Sequence, residues 1–414
     1  MENPKIRFKG FTKDWEQRKL GEVLISLQNN TLSRADLSNE TGIAKNVHYG
    51  DVLIKFGDVL DVSREQLPMI KDEKVLDKYK ASFLQNGDVI IADTAEDTTV
   101  GKCSEIAGLR DEVVLSGLHT IPYRPVEKFA TGYLGYYLNS GAYHDQLIPL
   151  MQGIKVTSIS KSAMKDTDIV YPKSTEEQAM IGSYFQSLDH LITLHQRKCE
   201  QTKNLKKYML QKMFPQNGAK VPEIRFNGFT HDWEQRKFGS LLEETRNKTI
   251  FEDEDTLLSC AIDGMYLNSE LFSHFRGSSN IGYLKVKKND LILSAQNLHL
   301  GNCNVNLRFE HGIISPAYKV YELVGCNPLF MQAWVKKDST KDFFLKSSTE
   351  GASVCRKNIV WEELYKQELP VPSIEEQTKV GEYFSNLDHL ITLHQRQCDE
   401  LKKMKKYMLQ NMFI

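Results

Sequence analysis

Asn327-Pro328-Leu329-Phe330 is the segment whose residue types come closest to a catalytic motif. It differs by one residue from the N-P-P-F type of motif that holds a flipped adenine in amino-methyltransferases. Such a site also needs a glycine-rich cofactor loop of the F-x-G-x-G type, and the sequence contains none. Because asparagine followed by proline is a common way to begin a helix, we interpret this segment as a helix start.

The other residues with catalytic or metal-binding potential do not form a recognisable site. The sequence has no G-x-x-x-x-G-K-S/T phosphate loop, no G-x-S-x-G elbow and no H-E-x-x-H zinc motif. His190 and His195 are five residues apart, which places them on different faces of a helix. No two of the seven cysteines form a C-x-x-C pair, which argues against a disulfide framework or a zinc knuckle. We therefore predict a chain with no catalytic centre, metal or cofactor of its own.

The elements that would position functional residues are revealed by an internal repeat. Residues 6–19 return at 224–237 with twelve of fourteen positions identical, and residues 188–197 return unchanged at 387–396. The segments between the repeated blocks differ in both length and sequence. The chain thus reads as two cycles, each with a constant strip, a variable domain and a constant helix.

Each constant helix has an apolar seam with seven-residue spacing, which is typical of a coiled coil. Because one chain holds two such helices, they can pair with each other. The predicted seam residues are Ile181, Leu188, Leu191, Leu205, Met209, Val380, Leu387, Leu390, Leu401 and Met408. His195 and His394 are expected at polar, register-setting positions of this seam.

The variable segments contain short β-rich runs and short helices, which predicts mixed α/β modules in an α+β chain. The chain length of 414 residues also favours several domains over one. The predicted boundaries are 1–172 for the first domain with its constant strip, 173–214 for the first helix, 215–223 for a linker, 224–372 for the second domain and 373–414 for the second helix.

Charge is distributed unevenly although the net charge is only -1. Residues 20–172 hold 15 basic and 21 acidic residues, whereas residues 196–214 hold six basic and one acidic. Two diverged domains on a symmetric rod would suit duplex DNA, whose half-sites recur about 34 Å apart. Because the domains are not basic, we expect modest affinity from the isolated chain.

Polar loops in both variable domains carry residue types that read bases. Asn and Gln can bond adenine in the major groove, and Arg and Lys can bond guanine. The predicted DNA-contacting residues of the first domain are Lys155, Thr157, Ser158, Ser160 and Lys161. Those of the second domain are Gln296, Asn297, His299, Ser353, Arg356, Lys357 and Asn358.

The whole chain resembles the specificity (S) subunit of type I restriction-modification systems. The resemblance lies in features that occur twice and in the same order: the W-E-Q-R-K strips at Trp15 and Trp233, the strand-then-glycine segments at 88–102 and 290–302, the proline exits followed by Glu-Glu-Gln, and the long helices.

This resemblance implies two target-recognition domains and an antiparallel coiled coil. Each domain would bind one half of a bipartite site in double-stranded DNA, and the coiled coil would set the spacer between the halves. Two modification subunits, which use S-adenosylmethionine to methylate adenine, would dock on the constant regions. Two restriction subunits using ATP and Mg would complete the nuclease. The bases recognised and the spacer length do not follow from the sequence.

Two other function classes remain open at this point. A self-contained adenine methyltransferase is suggested only by residues 327–330. A coiled-coil scaffold, or an inhibitor that mimics DNA, is suggested by the acidic first domain. The chain has no apolar stretch of about 18 residues that could cross a membrane and begins without the apolar core of a signal peptide. A cytoplasmic location is therefore expected.

Overall fold

The computed structural model describes residues 3–216, 218–273, 279–353 and 356–414. The chain divides into two compact units. Unit 1 comprises Met1–His195 and Gln397–Ile414, and unit 2 comprises Gln196–Arg396. Each unit therefore contains one variable domain together with part of each long helix.

Unit 1 is built on a five-stranded sheet with strand order β2-β10-β6-β8-β4 and a three-stranded sheet with order β5-β3-β9. Two further pairs, β1 with β12 and β7 with β11, are antiparallel. The strands of unit 1 are β1 (Glu16–Lys19), β2 (Leu24–Ser26), β3 (Ala44–Val47), β4 (Val59–Asp61), β5 (Met69–Ile70), β6 (Val89–Ala92), β7 (Thr94–Ala95), β8 (Cys103–Ala107), β9 (Val114–Ser116), β10 (Thr120–Pro125), β11 (Thr157–Ser158) and β12 (Asp168–Tyr171).

Unit 2 is built on a four-stranded sheet with strand order β14-β21-β18-β19. Its remaining strands form the pairs β13 with β24, β15 with β16, β17 with β20 and β22 with β23. The strands of unit 2 are β13 (Glu234–Lys237), β14 (Leu242–Thr245), β15 (Leu258–Cys260), β16 (Met265–Leu267), β17 (Leu284–Lys287), β18 (Leu291–Ser294), β19 (Cys303–Val305), β20 (His311–Ile314), β21 (Tyr318–Leu323), β22 (Ser348–Ser353), β23 (Arg356–Ile359) and β24 (Glu368–Val371).

Short helices cover the sheets, and two 38-residue helices follow the variable domains. The helices are α1 (Leu20–Val23), α2 (Tyr49–Ile54), α3 (Glu73–Tyr79), α4 (Tyr133–Asn139), α5 (Gly141–His144), α6 (Lys161–Lys165), α7 (Thr175–Lys212), α8 (Asn268–Leu271), α9 (Pro328–Val335), α10 (Asp338–Lys346), α11 (Trp361–Lys366) and α12 (Ile374–Asn411).

The predicted β-rich runs become the central strands of the two sheets. All four residues of β6 and all four of β18 are buried. Both strands lie between two antiparallel neighbours and are covered on both faces, which explains their continuous apolar sequences. Each begins after a left-handed turn residue, Gly87 at φ 91° and Asn289 at φ 73°.

A buried glutamate explains why the constant strip and the Glu-Glu-Gln segment are repeated together. In unit 1 the Arg7 guanidinium donates two hydrogen bonds to the Glu177 carboxylate, at 2.6 and 2.9 Å, and the Trp15 indole donates a third at 3.3 Å. The matching distances in unit 2 are 2.7, 2.8 and 3.3 Å, and the residues are Arg225, Glu376 and Trp233. We call this arrangement the glutamate clasp. It joins each strip to the start of the long helix that follows.

The two long helices run antiparallel within each unit. In unit 1 the Lys405 ammonium lies 2.6 Å from the Asp189 carboxylate. In unit 2 the Lys206 ammonium lies 2.5 Å from the Asp388 carboxylate. Because the start of each helix meets the end of the other, the pairing is antiparallel in both places. The predicted fold class, with two mixed domains, two long antiparallel helices and an internal repeat, is confirmed.

The buried row along each helix alternates steps of four and three residues, as in a coiled coil. It differs from the predicted seam because Leu191, Leu205 and Leu390 are 39%, 44% and 41% exposed and lie beside the row. The other predicted seam residues are buried or half-buried and lie on it. The complete row is Ile181, Phe185, Leu188, Ile192, His195, Cys199, Thr202, Lys206, Met209 and Met213 in α7, and Val380, Phe384, Leu387, Ile391, His394, Cys398, Leu401, Lys405, Met408 and Met412 in α12.

Candidate nucleic-acid interface

Residues 152–158 of unit 1 form a β-hairpin next to the end of the central strand β6. Gln152 and Ser158 exchange two backbone hydrogen bonds, at 2.9 and 2.8 Å, and close the hairpin. Its second arm, β11, pairs with β7, which follows the central strand β6 after one residue. The structure thus brings together two segments that are about 60 residues apart in the sequence.

The five predicted contact residues of unit 1 differ in what their side chains can reach. Lys155 and Ser158 are exposed, and Thr157 is half-buried between them. The Ser160 hydroxyl accepts a hydrogen bond from the Ala163 amide and caps α6. Ser160 therefore stabilises the base of the hairpin.

Lys161 also helps to hold the base of the hairpin in place. Its ammonium donates a 2.9 Å hydrogen bond to the Leu27 carbonyl. Partial burial lowers the pKa of Lys161, and the nearby Asp93 carboxylate opposes that shift. Lys155 is thus the more accessible lysine of this loop.

A polar cluster that the sequence does not indicate lies beside the hairpin. His119 has a left-handed backbone at φ 57°, which is uncommon for a residue other than glycine. Its Nδ1 lies 3.4 Å from both the Thr94 hydroxyl and the Asp93 carboxylate. The Tyr49 ring packs edge-on against it, with ring centroids 5.3 Å apart. His119 reaches this position through a turn that no residue pattern in the local sequence predicts. Its place beside the hairpin could therefore not be inferred from the sequence.

Unit 2 repeats this construction with different side chains. The Lys357 amide donates a 3.4 Å hydrogen bond to the Gln296 carbonyl, so the hairpin of β22 and β23 meets the segment after β18. Gln296 and Asn358 are exposed, and Asn297 and Lys357 are half-buried. Ser353 and Arg356 lie in β22 and β23, but their side chains fall outside the described part of the structure.

His299 is the most enclosed of the predicted contact residues. Its side chain is buried, and neither ring nitrogen has a hydrogen-bond partner among the residues that the structure describes. Burial lowers the pKa of His299, and the positive charge of Lys357 lowers it further. At neutral pH the ring is therefore uncharged, with one donor and one acceptor nitrogen.

Part of the negative charge of the first domain is inside the fold. The Asp88 carboxylate is buried and accepts two hydrogen bonds from Arg124, at 2.9 and 2.7 Å. Glu105 is buried among backbone amides and accepts from Gly132 at 2.7 Å and Gly135 at 3.0 Å. Burial raises the pKa of Glu105 to about 7. The acidic count of this domain therefore overstates the negative charge that a DNA backbone would meet.

The segment closest to a catalytic motif is a helix start, as predicted. The Asn327 side chain accepts hydrogen bonds from the Leu329 and Phe330 amides and caps α9. Phe330 is fully buried in the core, so it cannot stack on a base. Among the described residues, no cluster of His, Cys, Asp and Glu side chains could hold a metal ion. Cys355 lies outside the described residues.

Within the described ranges, no helix combines the length and the apolar composition needed to cross a bilayer.

Comparison with known proteins supports the resemblance read from the sequence. Residues 12–204 match the family model of the type I restriction modification DNA specificity domain. A protein of Methanocaldococcus jannaschii named as a type I restriction enzyme MjaX specificity subunit is 21% identical over 95% of this chain and 91% of its own length. The crystal structure of the S subunit of a type I restriction-modification system from M. genitalium aligns with a TM-score of 0.61 at 14% identity, over 100% of this chain and 99% of that one. Residues 12–204 therefore match this DNA specificity domain, and the whole chain shares its fold with a solved S subunit.

Proposed function

We propose that this chain selects the DNA site of a type I restriction-modification complex by reading two half-sites, one with each variable domain. The observation that carries the proposal is found in both units: a hairpin near the end of the variable domain contacts the segment after the central strand. Residues 152–158 meet β7 in unit 1, and Lys357 meets Gln296 in unit 2. The repeated residues build the same scaffold in both units. The residues of the hairpins and of the segments after the central strands differ between the units.

The predicted contact residues are proposed to read bases through the major groove. Lys155 and Ser158 are the most accessible candidates in unit 1, and Gln296 and Asn358 are the most accessible in unit 2. A glutamine or asparagine amide can bond adenine through two hydrogen bonds, and a lysine can bond guanine. Thr157, Asn297, His299 and Lys357 would support or extend these contacts, and Ser160 and Lys161 would hold the hairpin of unit 1 in place.

The long helices are proposed to fix the spacer and to receive the partner subunits. Antiparallel pairing in each unit gives the helices the rigidity that a spacer requires. We propose that two modification subunits dock on the constant regions and supply S-adenosylmethionine chemistry, and that two restriction subunits supply ATP and Mg chemistry. We further propose a cytoplasmic location, where the DNA of a bacterial or archaeal cell lies.

The functional modules are proposed to follow the repeat. In this division residues 1–172 and 224–372 carry the two target-recognition domains, residues 173–214 and 373–414 carry the helices, and residues 215–223 join the two cycles. The two boundaries at the proline exits coincide with the ends of β12 and β24, where the variable sequence stops.

A domain exchange tests the division of labour. Residues 20–172 are replaced by the matching segment of a related chain, and methylated adenines are mapped across the genome. We expect one half of the recognised sequence to change while the other half and the spacer stay the same. The matched control exchanges residues 238–371, which should change the opposite half. Retention of both halves after either exchange would contradict the proposal.

A further inference from the structure

The hairpin of unit 1 presents two aliphatic side chains to solvent at its tip. Ile154 is 102% exposed and Val156 is 55% exposed, and Lys155 lies between them. A single exposed apolar residue is ordinary on a protein surface. Here, however, the two residues occupy the most protruding part of the loop that pairs with the end of the central strand.

Backbone hydrogen bonds and a buried side chain anchor the base of the hairpin. Beyond the closing pair of Gln152 and Ser158, the Ile159 side chain is buried and its amide donates to the Asp93 carbonyl at 2.9 Å. Gly153 has φ 113°, and a Cβ atom there would lie only 2.0 Å from the Val156 carbonyl oxygen. The backbone therefore turns tightly, and Ile154 extends outward from a fixed support.

The shape of the hairpin selects the groove that it could enter. A two-stranded ribbon fits the major groove of duplex DNA, which is about 12 Å wide, whereas the minor groove is about 6 Å wide. An isoleucine side chain neither donates nor accepts hydrogen bonds. In the major groove the base feature that suits such a side chain is the 5-methyl group of thymine.

We propose, on the basis of the proposed function, that Ile154 contacts the 5-methyl group of a thymine in the half-site read by the first domain. Ile154 is then a specificity-determining residue that carries no polar group. Lys155 at the same tip supplies positive charge toward the nearby phosphates or a guanine. The first half-site accordingly contains a thymine at the position that faces the tip of the hairpin.

Substitution of uracil for thymine tests this contact because it removes only the methyl group. The recognised site is first mapped from methylated adenines. Duplexes then carry uracil in place of each thymine of the first half-site, one position at a time. Binding is measured with the full chain assembled with its modification subunits, at one salt concentration. We expect uracil at one position to weaken binding about fourfold, as for the loss of one buried methyl group.

The variant Ile154→Ala connects the effect to this side chain. It should weaken binding to the thymine duplex by a similar factor and abolish the difference between thymine and uracil. The matched control is Ile25→Ala, because Ile25 is 56% exposed but lies opposite Arg124, at the end of β10 away from the hairpin. This control should retain both the affinity and the thymine preference.

Three results would overturn the inference. One is equal binding of all uracil duplexes, another is uracil that weakens binding equally at every thymine position, and the last is an Ile154→Ala variant that keeps the full thymine preference. In each case tight binding to the mapped site would leave the proposed function intact. If the mapped duplex binds no better than a scrambled duplex of the same composition, the proposed function itself fails, and the inference fails with it.

Discussion

Units 1 and 2 share the scaffold that the repeated residues build, and they differ in the segment after the central strand and in the hairpin that contacts it. Both have the glutamate clasp with nearly equal distances, and both place a hairpin against the segment after the central strand. The segment after the central strand contains Thr94 and Ala95 in unit 1 and Gln296 and Asn297 in unit 2. The repeated residues therefore build the fold of both units, and we propose that the diverged residues determine which bases are read.

The units also differ in the ion pairs that the long helices form. In unit 1 the Lys405 ammonium contacts two carboxylates, Asp58 and Asp189, each at 2.6 Å. In unit 2 the equivalent Lys206 contacts Asp388, whose side chain is 48% exposed. The same lysine in the repeat therefore lies in a more buried ionic cluster in unit 1 than in unit 2.

The largest effect is expected from the phenylalanine that closes each core. Phe413 packs against the rings of Trp15, Tyr133, Tyr137 and Phe185 in unit 1. Removing such a buried ring costs about 3–5 kcal/mol. Phe413→Ala should lower the free energy of unfolding of unit 1 by that amount, as measured by hydrogen exchange resolved along the chain.

Phe214→Ala is the matched variant, because Phe214 packs against Trp233, Phe330 and Phe384 in unit 2. It should weaken protection in unit 2 by a similar amount. Equal loss of protection in both units from either substitution would show that they unfold together, which would contradict this prediction.

The next effect is the pH dependence that Glu105 adds to the stability of unit 1. Glu105 has a pKa of about 7 in the folded unit against an ordinary value of 4.5. The folded unit therefore binds a proton more strongly than the unfolded chain, so its stability falls as pH rises from about 4.5 to 7. A shift of this size corresponds to about 3 kcal/mol.

The variant Glu105→Gln should flatten this fall, as measured by denaturant titration of the full chain at several pH values. Unit 2 has the buried Val305 at the matching strand position and should lack this contribution. A variant that retains the whole pH dependence would rule out Glu105 as its source.

A smaller difference is expected between the two equivalent lysines. Lys405→Ala leaves the Asp58 carboxylate, which is 14% exposed, without its cation and should destabilise unit 1 by about 2–3 kcal/mol. Lys206→Ala removes a pair whose acid is half exposed and should cost less than about 1 kcal/mol. Urea unfolding of each variant gives the comparison, and equal costs would show that the two clusters are energetically alike.

The smallest effect is expected beside the buried helix row. Leu191→Glu and Leu390→Glu change side chains that are 39% and 41% exposed. Each should alter the free energy of unfolding by less than about 0.5 kcal/mol, as is usual for surface positions. Ile192→Glu, which places a charge on the buried row, is the contrasting variant and should cost several times more in the same urea titration.

Regular features of the chain were predictable from its sequence. The repeat and the seven-residue spacing predict both long helices, and Asn327 is correctly predicted to begin α9. The predicted seam contains Leu191, whereas the buried row contains its neighbour Ile192. Both residues are apolar, and seven-residue spacing alone does not decide which of them is buried. Only packing shows that Ile192 is the buried one.

The candidate site was less predictable because it depends on distant pairing. Nothing in the local sequence indicates that residues 157–158 lie beside 94–95, since strand pairing over that distance is set by the whole fold. His119 reaches the same surface through a left-handed turn residue that is not glycine. Likewise, the repeated Glu-Glu-Gln segment was visible, but its role as the acceptor for Arg7 and Trp15 required coordinates.

The composition of unit 1 has a consequence for how the chain is made. Its core includes Phe413, which a ribosome adds about 200 residues after His195. At about 5–20 residues per second, the first domain waits roughly 10–40 s for this ring. Unit 2 has no such delay, because Phe214 emerges before the domain that it completes. The nascent first domain therefore lacks the ring that packs against Trp15 and Tyr133 throughout synthesis of the second domain.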